Sequence, residues 1–578
     1  MTRAWVALAM LALTRVLLAS AHGTWAWSLD TLRFTPAPAL AIWALLALAL
    51  IPAVARRGSG PLAAAGDTIT RRPWLAAAGL ALVAAALVWL HPDRTGWIGD
   101  AVIRKGAVED AGGIGVTLFP QASRLDLLLH LHLPRALAGA GRITPAGAVR
   151  VIDAFEAGLL GVLAVAFARA TGFTGAGAAL AAAAALMSPA LGLFTGYNKS
   201  FSEVVIASVV VTSASLAMLR GRRADPWLAA GLVLAAFAHR SGLALAPAAL
   251  VAWVMAGRAE PARWRAPRVW LSCVLAVAGV GLALAEAAPV LRAVDVGAHL
   301  TPHEPGTGGT WWRGVFAGTR PADFANVVLG LPPLAIAALA AGVAPLGTRE
   351  RRDTASWFAV VLATWGTGML LIHPAQGFVR DYDDVAAFVT LIGLAAAWGL
   401  GPRIAHGAAL ATPAIATAAV ATVLWLAVPT HPAAGLARVH AFVTEPPPRS
   451  PDERAASWEF LGMRAVGESR WNDAAVALEH AVTLAPAPGT MREWALAEIQ
   501  IGHPERAIEI YRTLLARDPR NVMAWYSLAA VSTQVGDYPS AARALRSLLV
   551  VAPGDSAARQ NLRLIEQAHP ETRETAPR

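Results

Sequence analysis

Up to about residue 430 the chain alternates long apolar runs with short polar breaks, and beyond that its rhythm changes. Apolar runs fall at 3–21, 37–55, 73–91, 147–169, 173–194, 201–219, 269–291, 324–345, 355–372, 385–401 and 408–429. A run of about 20 apolar residues is what a helix needs to cross a bilayer. Between 227 and 256 two shorter apolar helices are broken by His239-Arg240-Ser241-Gly242. The pattern therefore predicts an all-α, polytopic bundle of about thirteen membrane helices over residues 1–430. Arg15 interrupts the first run, which favours an uncleaved first helix over a signal peptide ending near Ala19-Ser20-Ala21.

One apolar stretch is too short to span. Residues 123–137, SRLDLLLHLHLPRAL, interleave polar with apolar positions inside the long break 92–146. Such a helix lies in the membrane interface or packs on the ends of the bundle, and the pattern leaves both open.

After Leu426 the composition shifts. Residues 431–451 read as a Pro-rich linker marked by Pro446-Pro447-Pro448. From 452 to 578 a repeat appears, in which Trp458, Leu461, Ala474 and Pro486 correspond to Trp525, Leu528, Ala541 and Pro553. A weaker middle copy places Ala507 and Pro519 in register, and Gly502 matches Gly536. A period of about 33–34 residues is that of tetratricopeptide repeats, two helices per unit stacking into a solenoid. About three copies are expected, with a concave face suited to a protein or peptide partner.

Composition agrees with the pattern: 56% of residues are hydrophobic and only 15% are charged. The net charge of +10 raises the possibility of nucleic acid, but the basic residues sit in short breaks between apolar runs. That placement is the positive-inside bias and argues against a nucleic-acid partner. With the N-terminus inside, the breaks 56–72, 220–226, 257–268, 346–354 and 402–407 hold 15 Lys/Arg in 51 residues. The breaks on the other side hold 13 in 123. The expected location is a bacterial inner membrane, with a cytoplasmic N-terminus and with 92–146, 195–200, 292–323, 373–384 and the repeats outside. The single cysteine, Cys273, excludes disulfides and cysteine metal sites within one chain.

Four of the outer segments concentrate polar groups beside apolar helices. They are 97–110 with Asp100, Arg104, Lys105 and Glu109; 196–203, GYNKSFSE, with Tyr197 and Lys199; 238–247 with His239 and Arg240; and 373–384 with Arg380, Asp381 and Asp383. Each alone has a structural reading, such as a helix cap for Asp100 or a satisfied bundle histidine for His239. Together on one membrane face they suggest a shared cavity. Sugar transfer from a lipid phosphate would use Asp100 as the base and Arg104, Lys105, Lys199, Arg240 and Arg380 as phosphate partners. No phosphate-loop, dinucleotide-binding, zinc or serine-triad pattern competes. No metal site is assigned and no cofactor motif is present; Asp381, Asp383 and Asp384 leave a divalent cation open, with a solvated helix start as the plainer reading.

The layout resembles the C-fold (GT-C) membrane glycosyltransferases. It is also similar to bacterial GT-C-like proteins with motifs of the type "GDG…R…E", "GY.E.Y", "H..GL..LP" and "GF.RDWD". Here these read Gly99-Asp100 with Arg104 and Glu109, Gly196-Tyr197, His239 with Gly242-Leu243 and Pro247, and Gly377-Phe378-Val379-Arg380-Asp381-Tyr382-Asp383. Repeats behind such a core resemble O-mannosyltransferases that combine the two. The resemblance implies a polyprenyl-phosphate sugar donor, a protein, glycan or lipid acceptor, and Asp100 as catalytic base. Two positions depart: Asn198 or Glu203 stands for the acid of the second motif, and Tyr382 replaces the tryptophan of the fourth. A non-catalytic membrane scaffold for cell-envelope assembly, whose repeats recruit partners, is the alternative.

Overall fold

The computed structural model describes residues 2–109, 122–293, 300, 309–342, 344–374 and 376–573. Within these the chain is all helical, with no strand and a single isolated bridge between Leu300 and Ile372. It divides into two compact units, Met1–Pro448 and Arg449–Arg578.

The first unit is a helical bundle. Helix Phe201–Leu219 is largely apolar around its circumference and buried almost throughout, as expected of a central helix. Three of its hydroxyls bond back to the preceding turn: Ser208 Oγ donates to Val204 O, Thr212 Oγ1 to Ser208 O and Ser213 Oγ to Val209 O. Helices Pro73–Leu90 and Pro267–Ala293 lie outermost and expose Leu82, Val274 and Val277.

Eight described helices are long and apolar enough to cross a membrane, or up to ten if each of two bent pairs is one span. Several of the expected segments take a different form. The run at 173–194 becomes a short helix, Gly175–Leu186, followed by a 3-10 turn beginning at Pro189. The run at 324–345 breaks between Gly330 and Ala335, where the two helical pieces differ by 77°. Residues 56–72, read as a cytoplasmic loop, lie mostly in helix Pro52–Arg71, bent 98° from helix Ala37–Ala49. Charge disguised that helix: its arginines lower the mean hydropathy while Ala55, Gly66 and Ile69 keep one buried face.

The break at His239 is present, with extended backbone at His239 between helix Asp225–Ala238 and a 3-10 turn Arg240–Leu245. Residues 124–140 form one helical stretch with a π-turn at Leu128–His132. It buries Asp126, His130 and Leu131, so it packs on protein along a polar face and leaves Leu128 exposed. The expected linker 431–451 is largely helix Pro432–Thr444, which belongs to the first unit. Phe442 stacks edge-on against Trp97 at 5.2 Å, and Arg33 Nη1 donates to Glu445 Oε2 at 2.6 Å. Residues 110–121, 294–299, 301–308 and 375 of the expected outer loops lie outside the described residues.

The second unit is a stack of seven helices from Pro451–Gly467 to Ser556–Ala568, opened by a capping box between Ser450 and Glu453. The repeat-aligned alanines, Ala474, Ala507 and Ala541, are each fully buried at helix crossings. Each of the first three helix pairs turns in the same way. Arg470, His503 and Asp537 donate backbone N–H groups to Ala465, Glu498 and Ser532. The residue before each, Ser469, Gly502 or Gly536, has φ of 56°, 86° or 78°. This is the left-handed helix ending that glycine adopts without steric cost.

Candidate functional site

All four polar segments meet at one cavity of about 670 Å³. Asp100, Arg104, Lys199, His239, Arg240, Asp381 and Asp383, all singled out in the sequence, line it. Lys105, Glu109, Tyr197 and Arg380 are not among its described lining residues. Lys105 instead donates to Asp93 O at 3.1 Å, Glu109 is exposed at the end of helix Ala101–Glu109, and Tyr197 supports the wall from behind. The Arg380 backbone carbonyl accepts the Gly99 N–H at 2.9 Å.

Gly99 makes the approach of these segments possible. Its φ is +44°, and a Cβ there would lie 2.6 Å from the Tyr197 hydroxyl and 3.3 Å from Asp383 Oδ2. Asp100 follows at the start of helix Ala101–Glu109, so the Gly-Asp pair delivers a carboxylate to the cavity through a position where any side chain would clash.

Lys199 ties the walls together. Its Nζ stands 3.2 Å from Asp100 Oδ2 and 3.5 Å from Asp383 Oδ2, and 4.9 Å from the Phe201 ring centroid. Burial by itself would favour the neutral amine, but the Asp383 and Asp100 carboxylates outweigh it and raise the Lys199 pKa above its ordinary value. Tyr197 donates its hydroxyl to the same Asp383 oxygen, and burial followed by the Asp383 charge keeps it protonated. Asp383 is 3% exposed as a side chain and Asp100 27%, so Asp100 is the carboxylate that a solute reaches.

Opposite stands His239, its ring 4.3 Å from that of Phe201. Its Nδ1 accepts the Ser241 backbone N–H at 3.2 Å, which places the proton of a neutral ring on Nε2. Burial, then the charges of Arg240, Lys199 and Arg104, lowers its pKa well below the ordinary value. Asp381 accepts the Gln376 N–H at 2.9 Å, while burial and the nearby Asp383 and Asp384 raise its pKa well above that of a free carboxyl. Arg104 has a partner of its own, the buried Asp126, at 2.8 Å. Asp126 also accepts the Ser200 N–H at 3.1 Å, and Ser200 Oγ donates to Ala238 O at 2.7 Å, which locks segments one, two and three together.

Asp384, read in the sequence as part of a solvated helix start, also lines the cavity. Sequence reasoning passed over Asp126 and Glu286, which line it too. It also passed over His130 and Glu156. Glu156 gave a visible signal, because a carboxylate within an apolar run is costly without a partner. Glu203 pairs with His130 at 3.0 Å and is not among the described lining residues of the cavity; Asn198 is buried with φ of 61° and donates to His130 O at 2.9 Å.

A family model described as tetratricopeptide repeat matches residues 498–564. Among solved structures the chain is similar to the Arabidopsis OM64 TPR domain, with 20% identity and a TM-score of 0.19, over 20% of this chain and 98% of that one. The Sgt2 TPR domain from Aspergillus fumigatus matches with 20% identity and a TM-score of 0.19, over 22% and 90%. The P58(IPK) TPR domain matches with 13% identity and a TM-score of 0.21, over 78% and 100%. No curated protein matches the sequence. The chain thus carries a tetratricopeptide repeat, a class of module that binds protein partners along a stacked concave surface.

Proposed function

We propose that the first unit is a membrane glycosyltransferase of the GT-C type that moves a sugar from a polyprenyl phosphate to an acceptor outside the cytoplasm. The observation that carries this reading is the single cavity built from four distant segments, with Asp100 at its mouth and Lys199 between Asp100 and Asp383. The apolar exposure of helices Pro73–Leu90 and Pro267–Ala293 supports a bilayer around the bundle, since soluble surfaces avoid such patches.

In this reading Asp100 takes the proton of an acceptor hydroxyl as its oxygen attacks the anomeric carbon. The bond from that carbon to the phosphate oxygen breaks, and the lipid phosphate leaves with the electron pair. Arg240, exposed on the cavity wall, and Lys199 offset the charge that develops on the phosphate. Neutral His239 supplies an Nε2–H donor without adding charge. The repeats hold the acceptor or a partner protein near the membrane.

The test is transfer by the purified full chain in lipid nanodiscs from radiolabelled polyprenyl-phosphate sugars to envelope fractions. Asp100→Asn is expected to abolish transfer while the protein remains folded and inserted; undiminished transfer would remove Asp100 from the chemistry. The repeat match favours a second reading, a scaffold that recruits envelope-assembly proteins. It predicts that truncation after Pro448 removes the cellular phenotype while Asp100→Asn leaves it intact. The cut belongs there because Glu445 pairs with Arg33 inside the first unit.

A further inference from the structure

Apart from the cavity, three metal-ligating side chains from three separate helical segments converge in the interior. They are His130 from the π-turn, Glu156 from helix Pro145–Thr171 and Glu203 from helix Phe201–Leu219. One ligand atom from each lies within 4.8 Å of the other two, and the residues are only 1%, 6% and 4% exposed. His130 Nε2 faces both Glu203 oxygens at 3.0 and 3.2 Å, and Ser202 Oγ donates to Glu203 Oε2 at 2.9 Å. Glu156 Oε2 has no hydrogen-bond partner despite its burial. One turn earlier Asp153 is equally buried, and its Oδ2 is likewise without a partner.

We infer that His130, Glu156 and Glu203 bind a first-row divalent transition ion, of which Zn²⁺ and Co²⁺ are the working representatives. Three carboxylates beside one imidazole leave an excess of buried acceptors, and a buried charge persists only when paired or coordinated. Lys105, the cation whose charge acts on Asp153, donates its ammonium to Asp93 O at 3.1 Å. Zinc bonds to histidine nitrogen and carboxylate oxygen run about 2.0–2.2 Å, so each ligand atom moves inward by less than about 1 Å to close the site. The imidazole selects transition ions over Ca²⁺ or Mg²⁺, which prefer oxygen alone. On binding, the proton on His130 Nε2 is released to solvent and its lone pair goes to the metal. The ion joins three helical segments, and it does so next to Lys199: Glu203 lies one turn after it, and Asn198 bonds to the His130 carbonyl. This assignment is independent of the proposed sugar transfer.

The experiment uses the full chain, purified in detergent with a histidine-free affinity tag, stripped with chelator and titrated with Co²⁺. The expected result is one Co²⁺ per chain with visible absorption bands, displaced by Zn²⁺, and an affinity at least tenfold weaker in Glu156→Gln. His130→Cys retains binding and adds a thiolate-to-cobalt band in the near ultraviolet, which a purely structural His–Glu pair would not produce. Stripped, folded wild type that takes up no stoichiometric Co²⁺ overturns the assignment, and so does uptake that both variants leave unchanged in affinity and spectrum. Should Glu156→Gln fail to fold, the His130→Cys spectrum and the wild-type stoichiometry still decide.

Discussion

The Lys199 ammonium stands 3.2 Å from Asp100, joining residues 99 positions apart, and its second partner, Asp383, is nearly inaccessible. The two carboxylates therefore respond differently to substitution. Asp100 is 27% exposed, so Asp100→Asn should cost less than about 1 kcal/mol of stability. Lys199→Met strands a buried Asp383 carboxylate and should cost about 2 kcal/mol or more. Thermal unfolding of the two variants in detergent, with transfer measured in parallel, checks this. The expected result is loss of transfer in both but a lowered melting temperature only in Lys199→Met; equal destabilisation would contradict the assignment of Asp383 as the dependent partner.

Gly99 predicts a rescue. An alanine Cβ meets the Tyr197 hydroxyl at 2.6 Å on a backbone with φ of +44°, so Gly99→Ala should displace Asp100 and lower transfer at least tenfold. Removing the obstructing oxygen in Gly99→Ala/Tyr197→Phe should restore part of that loss, although Tyr197→Phe alone withdraws a hydrogen bond from Asp383. A double variant no better than the single one would mean that backbone strain alone sets the cost.

These residues show what a pattern along a chain can and cannot reveal. Repeats are legible because one environment recurs at one spacing: Ala474, Ala507 and Ala541 are all fully buried. The break at His239 is legible because polar residues interrupt an apolar run, and the cavity segments stood out for the same reason. Arg104 was read as a phosphate partner because its own partner, Asp126, sits 22 positions away in another helix. The His130–Glu203 pair spans 73 positions and leaves no periodic trace. Residues 56–72 misled in the opposite direction, since arginine content masked a helix whose small residues pack.

His239 gives the first unit a pH dependence of definite sign. The folded protein holds its pKa below the ordinary value, so the unfolded chain takes up a proton first as pH falls through about 6.5. Stability is complete above that pH and declines below it by at most about 1.4 kcal/mol per unit, down to the folded value. Asp381 acts with the opposite sign, because its raised pKa gives stability at low pH that is lost as pH rises above the ordinary carboxylate range. The two are separated by difference: the stability of wild type minus His239→Gln, measured from pH 7.5 to 5.5, should fall with pH. A difference that stays flat would mean His239 titrates normally.

Ser469 occupies the repeat position where the later copies place Gly502 and Gly536, and all three adopt the left-handed conformation. A serine Cβ in that region costs about 1 kcal/mol relative to glycine, partly offset by the greater freedom of glycine in the unfolded chain. The Arg470 N–H to Ala465 O bond of 2.9 Å matches those at His503 and Asp537, so the turn itself is already formed and only the strain is relieved. Ser469→Gly should therefore stabilise the repeat unit by about 0.5–1 kcal/mol. Gly536→Ser should destabilise it by a similar amount. Urea unfolding of residues 449–578, which enclose their own apolar core, measures both as opposite shifts of the midpoint at constant slope. Shifts of the same sign would show that the turn position is not equivalent in the two copies, and would remove the 33- to 34-residue register on which the first repeat was assigned.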